Sequence, residues 1–248
     1  MAGRVMVERF FCQDAAKGGE LALDSSESNH LARVRRLGPG DAVVVFDGQG
    51  FATSAEVVQV ERGRVVLQSV GLPLPDRLAP IELTLATALP KGDRLDWLVE
   101  KATEIGVARL VPLVTRRSVV DPRASKLERL RRAVIEASKQ CGRNRLLRID
   151  PPSSWVAVLS QARTGVRVLA DPNGPGFPHW PRLSPGESAW IAVGPEGGFT
   201  EEEVSEAVEA GWSVVGIGPT ILRVETAGLA GCLRMLATAE RVQEMSAS

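Results

Sequence analysis

Two apolar runs in the last third of the chain each end in a glycine-rich turn, and each turn leads into a helix-forming segment. The first reads Ala189-Trp-Ile-Ala-Val-Gly-Pro-Glu-Gly-Gly-Phe-Thr200, the second Val214-Val-Gly-Ile-Gly-Pro-Thr-Ile-Leu-Arg-Val-Glu-Thr-Ala227. A buried strand that stops at glycine and continues as a helix is the repeating unit of an α/β sheet, whose ligands sit beyond the C-terminal strand ends. Glycine at such a place lets the backbone approach a neighbour closely. The spacing is neither the Walker pattern nor a dinucleotide fingerprint, and no lysine flanks the glycines, so a ligand here need not carry a phosphate. On composition alone, tight structural turns explain these glycines equally well.

The rest of the chain divides by style. Residues 1–72 read as short strands with turns between them: Asp41–Phe46 ended by Asp47-Gly48, then Phe51–Val60 and Arg64–Val70, with a turn at Gly38-Pro39-Gly40. That pattern predicts a small barrel or sandwich. Residues 73–80, rich in proline, predict a linker. From Ile81 strands alternate with helices up to residue 248. Strands are expected at Ile81–Leu89, Val107–Thr115, Val166–Ala170, Ala189–Val193 and Ser213–Ile217. Leu95, Leu98, Val99, Ala102 and Ile105 stripe a helix capped by Asp93 and stopped by Gly106. Leu127, Leu130, Val134 and Ala137 stripe a second helix. Thr200 to Glu203 has the form of a capping box, and a last helix is expected over about Glu225–Arg241. Trp97 and Trp190 fall in apolar patterns and are expected in the core. An α/β domain with a mostly parallel sheet follows.

Lysine plus arginine and aspartate plus glutamate both number 30, so net charge excludes nothing. Its distribution is informative. Arg116–Arg148 holds eleven basic and three acidic residues, whereas Glu187–Glu209 holds seven acids and no base. The basic segment suits an anionic partner or, equally, a solvated helix face. Three scattered cysteines and two histidines argue against a disulfide framework and against a metal centre. No stretch approaches the ~20 apolar residues that span a bilayer, so a cytoplasmic protein without membrane partners is expected.

The glycine-rich segments, in order with His30-Leu-Ala-Arg-Val-Arg-Arg-Leu-Gly-Pro-Gly40, Phe46-Asp-Gly48, Lys91-Gly92, Glu100-Lys-Ala-Thr-Glu-Ile-Gly106 and Gln140-Cys-Gly-Arg-Asn-Arg145, resemble the ribosomal RNA small subunit methyltransferase E family. The resemblance runs over nearly the whole chain. It implies methylation of N3 of a uridine in 16S ribosomal RNA, free or in the small ribosomal subunit, with S-adenosylmethionine as cofactor. It implies a PUA-like β-barrel domain followed by a SPOUT-type α/β domain with a trefoil knot, and a homodimer. Pattern alone points away from a knot, since knots are very rare. The missing phosphate-binding lysine agrees with a cofactor that has no phosphate. Two departures stand out: Thr220 replaces an arginine common in the family, and Leu146-Leu147 replaces Val-Pro.

Carried over residue by residue, the cofactor would contact Leu169, Asp171 and Pro172; Gly194, Pro195, Glu196, Gly197 and Gly198; and Ile217, Gly218, Ile221, Leu222, Thr226 and Ala227. RNA contacts would come from Arg33 and Arg36 with neighbouring Arg35, from Lys91, and from Lys139, Arg143, Asn144 and Arg145. Uracil N3 is a poor nucleophile until it loses its proton. A guanidinium stays protonated, so Arg223 is expected to stabilise the uracil anion and Glu225 or Glu196 to accept the proton, making Arg223 and Glu225 the candidate catalytic pair. An Arg–Glu structural pair at a helix start explains both residues as well. Two other functions fit the same residues: methylation of another ribosomal or transfer RNA position, and RNA binding in assembly without catalysis.

Overall fold

The computed structural model describes residues 7–76, 79–118, 124–176 and 179–246, with the side chains of residues 124–126 and 240–246 outside the description. Arg77 and Leu78 of the linker, and Phe177 and Pro178 of the loop after Asp171, therefore lie outside it, as does Arg123 of the basic segment. The chain forms two compact units. One comprises Met1–Arg77 and Ile135–Leu146, the other Leu78–Val134 and Leu147–Ser248. The proline-rich boundary does not anticipate the return of residues 135–146 to the first unit.

The first unit is built on β1 (Arg9–Phe11), β2 (Glu20–Ala22), β3 (Ala42–Phe46), β4 (Ala52–Glu61) and β5 (Arg64–Pro73), ordered β1-β3-β4-β5-β2. Only β1 and β3 run parallel; the other pairs are antiparallel. Alternation along β3 to β5 sends Val43, Val45, Val57, Val65 and Leu67 into a core shared with Phe10, Leu21 and Leu31. Between β2 and β3 the helix α1 (Ser25–Asn29) is capped by Asp24, whose carboxylate accepts the Glu27 N–H. It continues into a π-helical turn, His30–Arg35, ended by Arg36 in the left-handed region at φ 58°. This turn presents Arg33, Arg35 and Arg36 to solvent, and Arg35 also pairs with Glu8 at 3.1 Å.

The second unit is a sheet of parallel pairs. In chain order it contains β6 (Glu82–Thr87), helix α2 (Asp93–Glu104), β7 (Arg109–Val114), the part of helix α3 (Ala124–Cys141) up to Val134, β8 (Arg148–Ile149), β9 (Ser153–Ser154) and helix α4 (Trp155–Gln161). After these come β10 (Val166–Ala170), β11 (Ser188–Val193), helix α5 (Glu201–Glu209), β12 (Ser213–Val215) and helix α6 (Val224–Ser246). The strand order is β12-β10-β11-β6-β7-β8, with β9 also on β7. Strands buried on both faces need apolar residues at nearly every position, as in β6 and β11. Helix α6 lies against β11 and β6 at its small residues: a Cβ on Gly231 would meet the Ile191 side chain and one on Gly228 the Leu85 side chain.

Two local expectations change. Gly92, not Asp93, is the N-cap of α2, and Asp93 is its first helical residue. Trp97 is 45% exposed rather than in the core, while Trp190 is buried as expected. No described helix is long and apolar enough to cross a membrane.

Candidate active site

The two glycine-rich turns meet at the C-terminal ends of β10, β11 and β12, around a cavity of about 440 Å³. The β11 turn contributes Val193, Gly194, Pro195, Glu196, Gly197, Gly198 and Phe199; the segment after β12 contributes Ile217, Gly218, Thr220, Ile221, Leu222, Arg223, Val224 and Ala227; the loop after β10 adds Ala170, Asp171, Pro172 and Asn173. Glycine is needed here for two different reasons. Gly198 adopts φ 71°, where a side chain is strained. A Cβ on Gly216 would lie 2.5 Å from the Gly174 carbonyl oxygen. The close approach read from the second turn is thus to another stretch of this chain. Gly216 N–H donates to the Pro175 carbonyl at 2.9 Å, and the Trp180 indole N–H donates to the Gly216 carbonyl at 3.1 Å.

The first turn is held from both sides. Thr200 and Glu203 form the capping box at the start of α5. The second oxygen of the buried Glu203 accepts the Arg116 N–H at 2.9 Å. Thr115 and Ser118 close a tight turn around Arg116 and Arg117. The Arg117 guanidinium lines the cavity and donates to the carbonyls of Gly197 at 2.6 Å and Phe199 at 3.3 Å. No local pattern marks Arg117, because its role depends on a contact 80 positions away. Its place just after an apolar strand, at the same sheet end as the glycines, was the available signal.

Most of the expected cofactor residues line this one cavity: Asp171, Pro172, Gly194 to Gly198, Ile217, Gly218, Ile221, Leu222 and Ala227. Two of the expected cofactor residues, Leu169 and Thr226, and the expected catalytic Glu225 stand elsewhere. Leu169 is fully buried in the core, and the next residue, Ala170, lines the cavity instead. Thr226 and Glu225 face a second recess with Arg94, Trp97, Ile221, Leu222 and Arg223. Arg223 lines both. Glu225 is buried, with Oε1 3.6 Å from Arg94 Nη1, while Oε2 has no hydrogen-bond partner among the described residues.

The expected RNA residues divide in the same way. Lys91 and Arg33 are exposed. Arg145 is exposed and donates to Asp76 at 2.8 Å. Asn144 is buried, its amide spent on Arg9, Gly50 and Pro75. Burial holds Arg143 below the usual guanidinium range. The Lys139 side chain is 8% exposed, with its ammonium 3.0 Å from Glu27, 2.9 Å from Glu136 and 2.8 Å from His30 Nδ1. An ammonium has no acceptor, so His30 accepts at Nδ1. Lys139 and Asn144 are therefore parts of the first unit's interior, which corrects their reading as RNA contacts.

The chain matches the model of the RNA methyltransferase domain over residues 77–236 and that of the RNA methyltransferase PUA domain over residues 23–68. It is 30% identical to ribosomal RNA small subunit methyltransferase E of Bacillus subtilis, over 90% of this chain and 93% of that protein. With the Synechocystis protein of the same name it shares 33% identity, over 84% and 69% of the two chains. The structure of the Neisseria gonorrhoeae ribosomal RNA small subunit methyltransferase E bound to S-adenosyl methionine superposes with a TM-score of 0.86 at 29% identity, covering 94% of this chain and 98% of that one. A Legionella pneumophila methyltransferase with the cofactor SAM bound gives 0.87 at 26% identity, over 95% and 99%. By its sequence and by both of its domains, this chain belongs to the ribosomal RNA small subunit methyltransferase E family.

Proposed function

We propose that this chain transfers a methyl group from S-adenosylmethionine to N3 of a uridine in 16S ribosomal RNA. The observation that carries the reading is the cavity at the strand ends, in a chain whose family is a methyltransferase family. Its volume lies within the ~300–1,000 Å³ of small-molecule sites. Val193, Phe199, Ile217 and Leu222 give an apolar wall suited to adenine, and exposed backbone at the turns suits its hydrogen-bonding edge. Asp171 and Glu196 suit the cationic sulfonium and ammonium; Arg117 and Arg223 suit the carboxylate or an anionic substrate. When bound, the cofactor supplies an already electrophilic methyl group, so orientation is the main task left to the protein. Arg223, which lines both recesses, stabilises charge on the uracil oxygens.

The RNA is held by the exposed cations Arg33, Arg36 and Lys91, with Arg145 beside Asp76, through salt-dependent phosphate contacts. The segment after β12 passes against the loop after β10 at Gly216 and Pro175, which supports a knotted chain path. A cytoplasmic homodimer completes the reading. The test is nucleoside mass spectrometry of 16S ribosomal RNA, free and in small subunits, after incubation with the protein and S-adenosylmethionine. The expected product is 3-methyluridine at one site; methylation of a different base or atom refutes the assignment.

A further inference from the structure

We propose that the second recess, bounded by Arg94, Trp97, Arg223 and Glu225, is the receptor for the target uracil ring, and that it selects uracil over cytosine. The inference rests on the functional reading above and adds the residues that read the base. Three observations lead to it. The Glu225 carboxylate is nine-tenths buried and lines the recess, yet its Oε2 has no donor among the described residues. A buried acceptor without a donor is costly, and a turn of the Glu225 carboxylate into the recess would let a ligand N–H satisfy it. The Trp97 indole is 45% exposed beside it, on a helix whose leucines are buried. An exposed aromatic face is a stacking platform for a base. The recess, about 500 Å³, shares Ile221, Leu222 and Arg223 with the cofactor cavity, so a base seated there lies next to the methyl donor's site.

The recess holds the kinds of polar group that one base edge requires. The Glu225 carboxylate, an acceptor, stands with two guanidinium groups, Arg94 and Arg223, which only donate. Uracil presents the complement: the N3–H donor between the O2 and O4 acceptors. Cytosine presents an N3 lone pair, which would meet the carboxylate with like polarity. In the transfer, Glu225 first accepts the N3 proton, and the in-plane N3 electron pair so freed then forms the bond to the methyl carbon. The carbon–sulfur bond breaks with its pair on sulfur, leaving a neutral thioether. Arg94 also holds the carboxylate by charge, its Nη1 lying 3.6 Å from Glu225 Oε1.

The experiment compares the full chain with Trp97→Ala, Trp97→Phe and Glu225→Gln by calorimetry with S-adenosylmethionine, by steady-state methyl transfer to small subunits, and by tryptophan fluorescence with uridine 5′-monophosphate or cytidine 5′-monophosphate. Loss of one stacked base is worth about tenfold in binding. Trp97→Ala is therefore expected to raise KM for the RNA about tenfold, with cofactor affinity within about twofold; Trp97→Phe restores most of it. Glu225→Gln lowers kcat by about a hundredfold, the scale of a lost general base, and leaves cofactor affinity intact. Uridine monophosphate quenches wild-type emission, cytidine monophosphate quenches it less, and Trp97→Phe removes the difference. Wild-type RNA kinetics in Trp97→Ala, wild-type kcat in Glu225→Gln, or equal quenching by both nucleotides overturns the proposal. A wild-type chain inactive on small subunits counts against the functional reading instead, and the nucleotide quenching then decides the base site by itself.

Discussion

Replacing Gly216 by alanine tests whether the cavity is shaped by backbone against backbone. The new Cβ would stand 2.5 Å from the Gly174 carbonyl oxygen and 3.4 Å from its carbon. Reaching ordinary contact requires the two segments to part by about 1 Å. Neither neighbour is a flexible side-chain end, so the strain falls on the main chain. Parting weakens two hydrogen bonds, Gly216 to Pro175 and Trp180 to Gly216, each worth about 0.5–1.5 kcal/mol. Overpacking adds about 1–3 kcal/mol, and the stiffer unfolded chain returns about 0.4–1 kcal/mol. A net destabilisation of about 1–6 kcal/mol is expected from urea titration. Because Ile217 and Gly218 continue directly into the cavity wall, affinity for S-adenosylmethionine should fall at least about tenfold, or 1.4 kcal/mol. Gly176, on the facing loop, has open space at its Cβ position; Gly176→Ala should stay within about 0.5 kcal/mol of the parent. If Gly216→Ala matches Gly176→Ala in both measurements, the close approach has no energetic consequence and does not shape the cavity.

Arg117→Ala removes the guanidinium that holds the Gly197 and Phe199 carbonyls; calorimetry should show about tenfold weaker cofactor binding, with partial recovery in Arg117→Lys. Unchanged affinity would remove Arg117 from the site. Lys139→Ala leaves the buried Glu27 carboxylate without its ammonium, so urea unfolding should show about 3–5 kcal/mol of lost stability; a loss under about 1 kcal/mol would return Lys139 to the surface. Burial pushes the Cys12 and Cys232 thiols up, so less thiolate is present at a given pH, whereas Cys141 is partly exposed. In the native protein near pH 8, a thiol reagent should modify Cys141 first, and the other two only on unfolding; rapid modification of all three would contradict the burial.

What the sequence made legible follows from range. Apolar runs and glycine stops are local signals, so β10, β11 and β12, which carry the cavity, and β6 and β7 beside them could be read directly, whereas the two-residue strands β8 and β9 could not. The capping box at Thr200 and Glu203 was equally local, and it is present. Leu169 shows a limit: in a strand buried on both faces, alternation carries no parity, so nothing local separates Leu169 from Ala170. Lys139 and Asn144 show another: their partners lie 112 and 135 positions away, so a basic, polar segment reads as surface when it is interior. Trp97 was legible but misread. Leu95, Leu98, Val99 and Ala102 follow the i, i+3, i+4, i+7 stripe, and Trp97, at i+2, lies off it.

The glycines themselves are only permissive. Gly216 allows two backbones to touch, but the contact is imposed by Gly174, Pro175 and Trp180 on the loop after β10. Gly198 allows the β11 turn to reverse, but the turn is clamped by Arg117 and, through Glu203, by the backbone of Arg116. Both glycine-rich turns therefore take their shape from segments distant from them in the sequence. Thr220, where the family often carries arginine, fits the same logic. It lines the cavity beside Arg223 and faces the same space as Arg117, so positive charge reaches this cavity from two other positions. In such a site the turn motif is local, and the shape of the cavity is set by long-range clamps.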